Sequence, residues 1–145
     1  MQEALKSHED STGGLTPTGR LSCSVLHRVK TMRFHNLIQV AGVIDRAEAQ
    51  LLLECGVRSL GFPLRLPVRR EDLSEAEAAQ IIEVLPADCH AVLITYLNRA
   101  GEIIEFCRFL GVQVVQLHGD VDPAELKAVK QRAPHLSIIK SLVVG

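Results

Sequence analysis

An α/β fold of parallel strands alternating with helices is predicted by three features of the sequence. Five short apolar runs alternate with four helical stretches from Phe34 onward. Each run is almost continuously apolar, the pattern of strands covered on both faces rather than of a sheet with one wet side. The apolar residues, 47% of the chain, are nearly all aliphatic, since aromatics make up 3% and Trp is absent. The expected element order is about (βα)4β in one domain, with the consecutive strands parallel because strand–helix–strand crossovers are right-handed.

Leu37 to Val40 reads as the first strand. Asp45 then caps a helix, with Glu48 in capping-box spacing, and Gly56 ends it just past the last turn. The second strand is expected over Val57 to Phe62, followed by a polar, Arg-rich loop from Pro63 to Leu73. Ser74 and Glu77 form a second capping box, and Ala78, Ile81, Ile82 and Leu85 share one helical face before Pro86 stops the helix. Ala91 to Leu97 is the third strand, and Asn98 is placed to cap the helix that carries Ile103, Ile104, Cys107 and Leu110. Gly111 closes that helix, and the fourth strand follows from Val112 to Leu117. Asp122, with Glu125 three residues on, is a third capping box, and Pro123 occupies the first helical position, where its missing donor is harmless. The last strand spans Leu136 to Val144.

Residues 1–31 are expected to form a disordered tail, since Ser, Thr, Gly and Pro cluster at Ser11-Thr12-Gly13-Gly14 and Thr16-Pro17-Thr18-Gly19 without periodicity. The ordered domain is expected over 32–145. Sixteen basic and seventeen acidic residues give a formal charge of −1, which carries no nucleic-acid footprint. No apolar run approaches a membrane span, and Glu3, His8, Glu9 and Asp10 interrupt any leader pattern, so a cytoplasmic protein is expected. Cys23, Cys55, Cys89 and Cys107 make no Cys-x-x-Cys pair, so reduced, structural thiols are expected and neither a metal nor another cofactor is implied.

Periodicity leaves two architectures open, an open flavodoxin-like sheet or part of a closed barrel. Four segments bear on the choice: Ala41-Gly42-Val43, Glu54 through Phe62, Thr95-Tyr96-Leu97-Asn98, and Val114-Val115-Gln116-Leu117-His118-Gly119-Asp120. In order and spacing they resemble the phosphoribosylanthranilate isomerase family, with the V-V-Q-L-H-G-D stretch the most specific. The resemblance covers about residues 33 to 145 and implies a partial (βα)8 TIM barrel, its N-terminal half plus one strand. It reaches what would be the fifth of eight strands, so the first and fifth would present open edges unless something covers them. A homodimer is one way to do so.

The resemblance implies an Amadori rearrangement of a phosphorylated, aminated ribose, with a general acid at the ring oxygen and a general base near C2. The family's cysteine base ends the first strand in K-I-C-G; aligned on Gly42, this chain reads Gln39-Val40-Ala41-Gly42, and the Ala41 methyl cannot accept a proton. The acid's sixth strand and the phosphate loops after strands seven and eight have no counterpart in the 145 residues. Arg65, Arg69 and Arg70 share the second strand-end loop, and Pro67-Val68-Arg69 or Val68-Arg69-Arg70 matches the family's arginine turn for the anthranilate carboxylate. Guanidinium forks suit such groups because they donate two parallel hydrogen bonds; pairing with Glu71 and Asp72 in solvent is the alternative. His118 either transfers protons near neutral pH, contacts a ligand, or shapes the rim through its neighbours. Gln116, two residues earlier, shares its inward face and needs a polar partner there. Asp45 is a substitute base or simply a cap, and Asp120 is a ligand contact or a turn residue. Lys140, among Ile138, Ile139 and Leu142, points inward or marks an exposed edge. The expected ligand-binding set is therefore Arg69, Arg70, Gln116 and His118, facing a small anionic substrate. The alternative function is a non-catalytic or repurposed half-barrel that binds a small anionic ligand or a partner chain.

Overall fold

The computed structural model describes residues 37–67 and 71–142. Nine elements alternate without exception: β1 (Gln39–Ala41), α1 (Arg46–Glu54), β2 (Ser59–Pro63), α2 (Glu75–Glu83), β3 (His90–Thr95), α3 (Ala100–Leu110), β4 (Val114–Leu117), α4 (Pro123–Arg132) and β5 (Ser137–Lys140). The tail expected over residues 1–31, Arg69, Arg70 and the last three residues lie outside the described residues.

The five strands form one sheet in the order β1-β2-β3-β4-β5, every pair parallel. A flavodoxin-like sheet would place β1 between β2 and β3. Here, among the described residues, β1 pairs with β2 alone, the sequential order of a barrel wall. Register sorts the side chains into two faces. Leu60, Phe62, Leu93, Val115 and Leu117 face the helices and join Ala78, Ile103, Phe106, Cys107 and Val129 in one large core. Leu60, Leu93 and Val115 are completely buried, each worth roughly 1.5–3 kcal/mol relative to exposure. Val92, Ile94 and Val114 belong to a second, smaller cluster with Leu37 and Ile139 on the opposite face. All the helix-borne core residues belong to the first cluster, so the helices share one side of the sheet.

The opposite face is concave. Gln39 Nε2 on β1 donates to Gln116 Oε1 on β4 at 2.8 Å, although those strands lie three positions apart in the sheet. In a flat sheet three strand spacings are roughly 14 Å, with side chains standing parallel and out of reach. Only a wall curved towards the Gln side chains brings them together. Gly61 permits the tight inner radius on β2: a Cβ there would meet Ile94 Cδ1 at 2.7 Å and the Ala41 Cα at 3.1 Å.

Strand boundaries moved by up to two residues from the expected ones, except that β5 ends at Lys140, four before the expected Val144, and three caps differ in kind. Ser74 and Glu77 do make a full capping box. Asp45 accepts from Glu48 N at 2.7 Å, but the Glu48 carboxylate takes Ile44 N instead of closing the box. Asn98 is not the cap of α3: Arg99 stands there without a side-chain cap bond. The donor Ala100 N instead reaches the Glu125 carboxylate on α4 at 2.7 Å. That contact also explains why the expected third capping box is incomplete. Asp122 accepts from Ala124 N, and Glu125 is committed to the neighbouring helix.

Candidate functional site

The C-terminal ends of the strands gather one polar group of side chains at the concave face. β4 ends at Leu117, and His118 N continues the ladder by donating to Thr95 O at 2.9 Å. Gln116 lines the concave face, where its amide accepts from Gln39 and its Nε2 donates to Ser141 Oγ at 3.2 Å. The same Ser141 Oγ lies 3.5 Å from His118 Nε2, the long end of a hydrogen bond. The His118 ring stacks on Tyr96, with centroids 5.5 Å apart and planes 29° from parallel. Gly119 follows with φ +69°, and a Cβ there would press to 3.0 Å from Tyr96 Cδ1, so this turn needs glycine twice over.

Lys140 neither enters the concave face nor stands free. Its register partner is Leu117, on the helix side of the sheet, and its Nζ donates to Gly119 O at 2.8 Å and to Ser141 O. The ammonium ties the loop after β4 to the end of β5, holding His118 and Ser141 at a fixed separation.

The other expected positions divide. Ala41 closes β1 opposite Gly61, and Gly42 N and Val43 N both donate to Gly61 O, at 3.0 and 3.2 Å. The position therefore has the expected backbone setting and no proton acceptor. Asp45 is occupied as the cap of α1. Arg65 is tied down: its Nε and Nη2 grip both Glu75 oxygens at 2.7 and 3.1 Å, and its guanidinium lies 3.8 Å over the Phe106 ring. Its backbone N, at φ +54°, donates to the Glu71 carboxylate. The hydrogen bond from Arg65 holds the Glu75 carboxyl below the usual range. Arg65 thus braces the loop after β2. Arg69 and Arg70 fall outside the described residues, so their contact with a ligand stays an expectation.

The concave face carries an open groove of about 520 Å³ lined by Leu37, Gln39, Gln116, Ile138 and Ile139. Apolar walls with a few converging amides are the usual make-up of a small-molecule site. Burial pushes the Cys107 thiol up to about 12 and raises Cys89 as well, so neither is a nucleophile at neutral pH. No three His, Cys, Asp or Glu side chains among the described residues come together as metal ligands, and no helix among them is long and apolar enough to cross a membrane.

Three residues of the group, Gln39, Ser141 and Tyr96, were not singled out by sequence. Gln39 was legible, since it sits two residues before Ala41 and so shares its inward face, the same alternation that placed Gln116 with His118. Ser141 and Tyr96 were not, because each meets His118 through the register of adjacent strands, which the sequence does not disclose: Thr95 pairs with Leu117, and Leu117 with Lys140.

A sequential, parallel, one-sided sheet with its polar groups at the C-terminal strand ends defines the wall of a β/α barrel. No family model matches the chain. It is 32% identical over 106 residues to N-(5'-phosphoribosyl)anthranilate isomerase of Trichlorobacter lovleyi, covering 72% of this chain and 51% of that one. The crystal structure of phosphoribosyl anthranilate isomerase from Thermus thermophilus superposes with a TM-score of 0.65 at 25% identity, over 73% of this chain and 51% of that one. A second isomerase, crystallised with reduced 1-(o-carboxyphenylamino)-1-deoxyribulose 5-phosphate, superposes with a TM-score of 0.65 at 21% identity, over 74% and 53% of the two chains. The chain belongs to the phosphoribosylanthranilate isomerase family. It spans about half the length of the curated relatives it matches.

Proposed function

We propose that this chain forms the binding wall of an isomerase-type site for a phosphorylated, aminated sugar in tryptophan biosynthesis, without supplying the base that the rearrangement needs. The observation that carries the reading is the convergence of Gln116, His118 and Ser141 at one end of the concave face. A carboxylate or hydroxyl of the ligand would find hydrogen-bonding side chains there above apolar walls. On the family resemblance, Arg69 and Arg70 are the arginines proposed to meet the carboxylate of the aminobenzoate ring. The ligand crystallised with a structural neighbour carries such a carboxyphenylamino group, which supports this substrate class.

Isomerisation needs a base at C2 and an acid at the ring oxygen. Ala41 offers no base, Asp45 is spent on a helix cap, and His118 is held by Ser141 and Tyr96. The proton chemistry therefore belongs to residues outside this wall, on strands that complete the barrel. A cytoplasmic setting, a tail over residues 1–31 and a domain over 32–145 are part of the same reading. So is a second copy of this chain against the open edges.

The test is turnover of phosphoribosylanthranilate, followed by loss of its fluorescence, for the unaltered protein and for Ala41→Cys. No turnover by the unaltered protein is expected. Turnover at a rate comparable with a complete isomerase would overturn the statement that this wall lacks a base.

A further inference from the structure

We propose that Gln39, Gln116 and Ser141 form a one-way hydrogen-bond chain that fixes His118 as the neutral Nδ1–H tautomer, making it a hydrogen-bond donor to the ligand and not its base. The direction follows from the donors. Gln39 Nε2 donates to Gln116 Oε1 at 2.8 Å, which turns the Gln116 NH₂ towards β5. Gln116 Nε2, which has no acceptor capacity, donates to Ser141 Oγ at 3.2 Å. The serine hydroxyl then accepts on one side, and its own proton is free to point at His118 Nε2, 3.5 Å away. A nitrogen that accepts carries no proton, so a neutral ring must carry it on Nδ1. The tautomer is set by what the other nitrogen bonds to, as it is for histidines bound to metals.

Every link is held from outside the chain. Gln39 and Gln116 project from strands whose registers are fixed by parallel pairing, with β1 on β2 and β4 on both β3 and β5. Lys140 clamps the carbonyls of Gly119 and Ser141, and Tyr96 stacks on the imidazole. No hydrogen bond among the described residues engages His118 Nδ1. As an N–H it is a ready donor to a carboxylate or hydroxyl oxygen of a ligand at the strand ends. Gln39, Gln116 and Ser141 are thus positioning residues that act through His118. Only the ligand's side of the inference rests on the proposed function; the tautomer stands on the hydrogen bonds alone.

The experiment is a long-range proton–nitrogen correlation spectrum of the imidazoles in the full-length protein, at a pH where His118 is neutral, with His118→Gln used to assign its signals. The expected spectrum shows a pyrrole-like Nδ1 and a pyridine-like Nε2. In Ser141→Ala the ring should shift to the Nε2–H form or to a mixture, while Ser141→Thr, which keeps the hydroxyl, should retain Nδ1–H. Gln39→Leu, at the far end of the chain and remote from the ring, should move the tautomer ratio in the same direction by a smaller amount. A predominant Nε2–H tautomer in the unaltered protein would mean that the chain runs the other way and overturns the proposal. So would an Nδ1–H tautomer that Ser141→Ala leaves unchanged. Neither result depends on turnover, so failure here is distinguishable from failure of the proposed function.

Discussion

Arg65 and Gly119 illustrate how single residues carry meaning that their neighbours in sequence do not disclose. Arg65 stood among the candidate arginines of a strand-end loop, yet two of its three guanidinium nitrogens are committed to Glu75 and its flat face to Phe106. The Glu75 carboxyl, lowered chiefly by the Arg65 hydrogen bond, adds stability that is present above the ordinary carboxylate pKa. That stability is lost as pH falls through the depressed folded value. Glu75→Gln should therefore flatten the acid limb of a stability–pH profile measured by urea unfolding. The effect should stay below about 1 kcal/mol, because the pair is partly exposed. Gly119 is legible in sequence as a turn residue. Its second constraint, contact with the Tyr96 ring, is visible only in the fold. Gly119→Ala should cost about 1–3 kcal/mol from the positive φ and the crowded ring, read as a lower urea midpoint with an unchanged slope. Gln116 and His118 were placed on one face by strand alternation alone. Ser141, which joins them, was hidden because its partners lie 23 and 25 residues away.

At the scale of the element, the alternation of strands and helices was legible because each strand is an apolar run and each helix has a local stop signal. Caps were legible where donor and acceptor are close in sequence. Ser74 makes the full box its spacing predicts and Asp45 the accepting half of one, and Asp45→Ala or Ser74→Ala should each cost about 1 kcal/mol. The start of α3 was misassigned to Asn98, since its acceptor comes from Glu125, 25 residues further on. Local spacing holds no trace of such a cap. Glu125→Ala should cost about 1–2 kcal/mol, leaving Ala100 N without its charged acceptor. Asn98→Ala should stay within about 0.5 kcal/mol of the unaltered protein. Thermal unfolding of the two variants side by side decides between local and tertiary capping.

At the scale of the molecule, the described residues form one wall of a barrel. Periodicity left an open sheet and a barrel equally acceptable. Strand order and the Gln39–Gln116 bridge decide for the barrel, because curvature arises from side-chain volumes on two faces and leaves no period in the sequence. Among the described residues, only β2 flanks β1 and only β4 flanks β5 in the sheet. Exposed Ile38 and Leu142 stand beside these edges, 73% and 79% accessible. Unpaired parallel edges favour association, so light scattering should give a mass above the 15.9 kDa of one chain, rising with concentration.

The central claim, that this wall binds one end of the ligand and leaves the rest to other strands, is tested most directly by calorimetry. Reduced 1-(o-carboxyphenylamino)-1-deoxyribulose 5-phosphate would be titrated into the protein beside its dephosphorylated form. Phosphate sites of such barrels lie on loops after strands seven and eight, so both compounds should bind equally, and His118→Asn should weaken both. Binding that requires the phosphate, or no binding of either compound, would contradict the assignment.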